Sequence, residues 1–144
     1  MERLVLADFL YAQQDHLLNA IGITLGTNDL ARSTAFFDEL FGSIGIGRFI
    51  ETDSFVAWAP APDKPGVSVT KPFDGEKATV GNGVMVALSM DSPEQVDAFY
   101  EKAIELGATC EGKSGPRDEM PGFYAGYFRD LDGNKFNAFH LAMG

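Results

Sequence analysis

Apolar residues alternate with small or polar ones at Ile21, Ile23 and Leu25, and again at Val84, Val86 and Leu88. That is the period of a strand with one buried face. A helical pattern follows each run. In the first half, Asn28 or Asp29 caps a helix whose buried stripe is Leu30, Phe36, Phe37, Leu40 and Phe41, ending at Gly42. In the second, Ser92 as cap, Pro93 at the first helical position and Gln95 completing a capping box open a helix that runs through Val96, Phe99, Tyr100 and Ala103 to Gly107. Short β-type runs predict strands at 47–51, 55–59 and 67–71 after the first helix, and at 109–111, 123–129 and 135–139 after the second.

Residues 21–37 lie over 84–100 at a constant offset of 63, placing Ala35-Phe36-Phe37 on Ala98-Phe99-Tyr100. The chain therefore reads as two copies of a β-α-β-β-β unit, 21–71 and 83–140. They are joined by a Pro- and Gly-containing connector, 72–82, which Phe73 and Val80 are expected to pack onto the domain. Residues 1–20 form an N-terminal extension, with a short amphipathic helix and frayed sequence both open as readings.

The most specific stretch is Tyr127-Phe128-Arg129-Asp130-Leu131-Asp132-Gly133-Asn134-Lys135-Phe136-Asn137-Ala138-Phe139. Two aromatic-rich runs flank turn-forming Asp, Gly and Asn residues, which predicts a β-hairpin. The stretch resembles the closing hairpin of the vicinal oxygen chelate superfamily, the glyoxalase, bleomycin-resistance and extradiol-dioxygenase group. Leu131 stands where a proline is usual. The resemblance runs from about Ile21 to Phe139 and includes Asn28-Asp29-Leu30-Ala31-Arg32-Ser33 and Ala98-Phe99-Tyr100. It implies an α+β fold in which two β-α-β-β-β modules form an open, curved eight-stranded sheet around a cavity.

Metal-dependent relatives bind a divalent ion with a histidine from the first strand of each half and a late glutamate. Those positions fall here on Gly22, Met85 and Asn137. Gly22 has no donor, Met85 offers a soft thioether, and Asn137 a neutral amide, a poor set for a hard divalent ion. The resemblance thus implies a member with no metal and no cofactor. Alternation turns Gly22, Thr24 and Gly26, with Met85, Ala87 and Ser89, toward the implied cavity. The expected ligand-binding set is Thr24, Trp58, Met85, Tyr127 and Asn137, drawn partly from the aromatic group Phe55, Trp58, Phe73, Phe123, Tyr124 and Tyr127, for which a core role is the competing reading. Arg48, Arg117 and Arg129 are possible anchors for an anionic group, or surface ion pairs.

Composition narrows the partners. A chain of 144 residues with 45% hydrophobic residues suits one domain, and a formal charge of −10 argues against nucleic acid and anionic membranes as partners. The single Cys110 fits a reducing compartment. The first 19 residues lack the charge pattern of a signal peptide, so a cytoplasmic location is expected. His16 lies upstream of the resemblance, and His140 is expected on the helix side with Phe136 and Ala138. Asp130 to Asn134 lacks the acidic ladder of a calcium loop, and no nucleophile elbow, phosphate loop or dinucleotide fingerprint occurs.

Three functions follow from the resemblance and the missing ligands. The first is a homodimeric protein that binds a small organic molecule without metal. The second is a lyase, isomerase or dioxygenase resembling lactoylglutathione lyase, with a displaced metal site. The third is a structural or regulatory homodimer with a filled cavity.

Overall fold

A computed structural model describes residues 22–142. The expectations for residues 1–20, including His16, lie outside the described residues. In chain order the elements are β1 (Gly22–Gly26), α1 (Leu30–Gly42), β2 (Arg48–Glu51), β3 (Phe55–Trp58), β4 (Gly66–Thr70), β5 (Val86–Ser89), α2 (Pro93–Glu105), β6 (Thr109–Pro116), β7 (Phe123–Arg129) and β8 (Lys135–Leu141). The expected two-module α+β plan is present. Its eight strands are divided into two four-stranded mixed sheets, ordered β1-β4-β3-β2 and β5-β8-β7-β6. In each, the first strand runs parallel to the last strand of its module and the other pairings are antiparallel.

Both helix starts follow their local chemistry. Asp29 accepts a hydrogen bond from the Arg32 amide at 3.0 Å, and Ser92 accepts from the Gln95 amide at 3.1 Å. The Gln95 side chain reaches back to the Asp91 amide at 2.6 Å, one residue earlier than a capping box requires. Beyond α2, Gly107 has φ +106°, a left-handed conformation that favours glycine.

Each sheet turns one face to the helices, and these inner faces share a single core. Phe37 stacks on Phe41 at 5.4 Å and meets Phe136 of β8 at 5.6 Å, while Phe41 meets Phe99 of α2 at 6.4 Å. The aromatic stripe of the first helix thus binds the second module. A polar latch does the same at the surface. The turn between β7 and β8 is closed by Asp130, whose carboxylate accepts from the amides of Asp132 and Asn134 and from Asn134 Nδ2, at 2.8 to 3.0 Å. Asn134 also donates to the Gly26 carbonyl, and Asp132 accepts from the Asn28 amide at 2.9 Å. The two segments that carry the sequence resemblance therefore hold each other.

Three expectations are corrected. Strand β6 extends to Pro116 rather than stopping at residue 111, because β7 is long enough to pair with it across two register shifts. Strand β5 begins at Val86, two residues later than the alternating run, since register with β8 starts at Val86 opposite Phe136. The connector is tied down by Ala78, whose backbone exchanges two hydrogen bonds with the Asn28 side chain, and not by Phe73, which is fully exposed.

Candidate functional site

Strand alternation decides which side chains reach the outer faces, away from the helices. On β3, Val56 and Trp58 share the inner face, leaving Phe55 and Ala57 outside. Trp58 is only 2% exposed, packs on Phe37 and Phe41, and donates its indole N–H to Asp38 at 2.9 Å. Its expected ligand role is therefore corrected: the same parity that buries Val56 commits Trp58 to the core. Tyr124 likewise faces α2, donating to Asp97 at 2.7 Å. His140 Nδ1 lies 3.0 Å from the Met90 carbonyl, which can only accept, so this nitrogen carries the proton.

The Asp38 carboxyl is held below its ordinary value of 3.8 mainly by its hydrogen bond from Arg48, with Trp58 helping and partial burial opposing. A depressed carboxyl contributes stability that is present above its unfolded value and lost as pH falls through the lower folded value. Emission from the single tryptophan is expected to titrate in that acidic window, below pH 3.8, and Asp38→Asn to abolish the transition. An unchanged titration in that variant would remove Asp38 as the source.

The outer face of the first sheet carries a shallow groove of about 180 Å³, whose lining includes Gly22, Thr24, Phe49, Ile50 and Phe55. Thr24 is held by its hydroxyl, 2.9 Å from that of Ser68 on β4.

The outer face of the second sheet is more differentiated. Its register aligns Ala87, Asn137, Tyr127 and Gly112 in one row across all four strands. Gly112 leaves space that any side chain would lose, since a Cβ there would approach the Tyr127 ring to 3.2 Å. Arg117 sits over that ring at 5.3 Å from its centroid, and Lys135 Nζ is 5.8 Å away. Asn137 is 3% exposed, and its Oδ1 has no hydrogen-bond partner among the described residues. A buried amide oxygen left unpaired costs about 1–3 kcal/mol. Met85, 41% exposed just before β5, borders the same sheet.

Of the five expected ligand residues, Met85, Tyr127 and Asn137 gather on the second sheet, Thr24 lies on the first, and Trp58 is in the core. Arg117 and Lys135 complete the Tyr127 surroundings. The sequence signal for Lys135 was its even spacing from Asn137 along β8, which puts both on one face.

The resemblance implies a divalent metal in many relatives, and the donor set does not fit one. Gly22 has no side chain, Met85 is a thioether, Asn137 offers a neutral amide, and among the described residues no three His, Cys, Asp or Glu side chains converge.

The fold and these faces correspond to a known class. The model of the Glyoxalase/Bleomycin resistance protein/Dioxygenase superfamily matches residues 13–138, and the chain belongs to that superfamily. It is similar to a glyoxalase/bleomycin resistance protein from Albidiferax ferrireducens T118, with 38% identity over 84% of this chain and 97% of that one, at a TM-score of 0.75. Fold alone is shared with a lactoylglutathione lyase from Agrobacterium tumefaciens (18% identity, 83% and 91% covered, TM-score 0.61). The same holds for the fosfomycin resistance protein FosX of Listeria monocytogenes (23%, 85% and 92%, 0.62). No match was found among curated proteins. No described helix is long and apolar enough to cross a membrane.

Proposed function

We propose that this protein binds a small organic molecule on the outer face of its second sheet without the divalent metal used by many of its relatives. The observation that carries this reading is the buried, unpartnered carboxamide oxygen of Asn137, in one row with Tyr127 and Ala87. A donor on a ligand would satisfy that oxygen, and the neighbour across the row, Ala87, is small and exposed. Catalysis of the lyase or dioxygenase type would need donors that Gly22, Met85 and Asn137 do not supply.

The site is completed in a homodimer, in a reading supported by the two outer faces. Thr24 and the groove beside Phe49 and Ile50 belong to one sheet and Asn137 to the other, and neither sheet pairs with the other within the chain. A two-fold dimer that sets the first sheet of one subunit against the second sheet of its partner would make two equivalent eight-stranded cavities. A cytoplasmic location is supported by the single cysteine, which fits a reducing compartment.

The test is a thermal-shift screen of flat aromatic compounds on the wild type and on Asn137→Leu, with sedimentation velocity to read the assembly. Leucine has nearly the shape of asparagine without its polar atoms, so the variant is expected to gain about 1–2 kcal/mol of stability while losing ligand-induced stabilisation. A variant that responds to ligands like the wild type would end the role of Asn137. A protein that sediments as a monomer at all concentrations would end the shared cavity.

A further inference from the structure

The outer face of the second sheet has a polarity gradient that specifies more than a binding surface. On one side of the Asn137 row lies the row Ser89, Phe139, Ala125 and Gly115. Phe139 stacks on Phe123 at 5.6 Å, making that side apolar. On the other side Lys135 stands opposite Arg129, which stands opposite Thr109. The face thus grades from aromatic, through one unsatisfied amide, to cationic.

The cations differ in how they are compensated. Arg129 is paired with Glu111, Arg48 with Asp38 and Glu51, and Arg32 with Asp132. Among the described residues Lys135 has no ion pair, and each of the side-chain hydrogen bonds of Arg117 ends on a backbone carbonyl, of Lys113, Gly115 or Pro116. Neutral carbonyls orient a guanidinium without cancelling its charge. Two cations without an ion pair among the described residues therefore flank the Tyr127 ring, on a chain whose formal charge is −10. Glu111 lies within electrostatic reach of Lys135, but its carboxylate is engaged first by Arg129. Most of the protein's field repels anions, so a local excess of positive charge beside the unmet Asn137 oxygen selects for an anion there.

We propose that this face takes an amphipathic organic anion, with its charged group at Lys135 and Arg117, a hydroxyl or N–H at Asn137, and its apolar body over Ala87 and Phe139. The inference rests on the binding reading above and adds the charge and polarity of the ligand. An inorganic anion would leave the aromatic row without a role, and a neutral hydrocarbon would leave the cations and the amide without one.

The test compares two probes of nearly identical shape, 4-hydroxybenzoate and 4-hydroxybenzamide, by titration calorimetry on the full chain at low ionic strength. The carboxylate is expected to bind on the order of tenfold more tightly than the amide, an advantage that shrinks as salt is added. Lys135→Gln is expected to remove most of that preference, so that the carboxylate loses more affinity than the amide, with the thermal midpoint confirming that the variant folds. Equal affinities, or tighter binding of the amide, would overturn the anion and leave the binding face standing. Binding of neither probe, together with no response to the wider aromatic screen, would overturn both.

Discussion

Replacing Phe37 by alanine will cost the protein about 3–5 kcal/mol, the largest loss expected from any single truncation in the core. Phe37 is fully buried and its ring meets four others: Phe36 at 4.9 Å, Phe41 at 5.4 Å, Trp58 at 5.5 Å and Phe136 at 5.6 Å. Three belong to its own module and the fourth to β8 of the other. Truncation therefore opens a cavity where the two modules meet, and neither can close it without moving against the other. Urea unfolding followed by far-ultraviolet dichroism would measure the loss. A double-mutant cycle with Phe136→Ala should return a coupling of about 0.5–1.5 kcal/mol, the range for a direct aromatic pair. A loss under about 1 kcal/mol for the single variant, far below that of other buried phenylalanines, would show that the modules do not depend on this contact.

Asp130→Ala should cost about 3 kcal/mol through a different mechanism. The carboxylate is buried, and it is the common acceptor for the Asp132 amide, the Asn134 amide and Asn134 Nδ2. Removing it strands those donors in a site closed to water and frees Asn134, which also holds Gly26 of the other module. Burial, the largest influence, raises the carboxyl above its ordinary 3.8, opposed by the hydrogen bonds from Asn134 and Asp132. The sign is opposite to that of Asp38: the contribution of a raised carboxyl is fully present below its unfolded value and falls as pH rises through the folded one. Unfolding free energies measured from pH 3 upward should therefore lose this downward component in Asp130→Ala, whatever the other carboxyls do. An alanine variant as stable as the wild type at neutral pH would mean that the turn, and not its carboxylate, holds the modules together.

Much of this was legible in the residues. The caps at Asp29 and Ser92, the stripes of both helices and the hairpin at Asp130 to Asn134 follow from short-range chemistry, while the departures at Gly22, Met85 and Asn137 follow from the resemblance to the superfamily. Trp58 shares its ring type with the other aromatics of the expected ligand set, but its even spacing from Val56 assigns it to the inner face. Phe73 was expected to pack because it is large and apolar, and the connector is instead held by main-chain bonds to Asn28, which its apolar residues give no hint of.

The sequence by itself determined the two-module plan and the strand faces, because periodicity and capping are properties of a residue and its near neighbours. Tertiary structure alone decided that the motif segments of the two halves latch together, that Lys135 and Arg117 meet over Tyr127, and that the oxygen of Asn137 is buried without a partner. Those facts depend on register between strands and on contacts made across many intervening residues. Local pattern does not encode the distances involved; packing the aromatic core into one interior does.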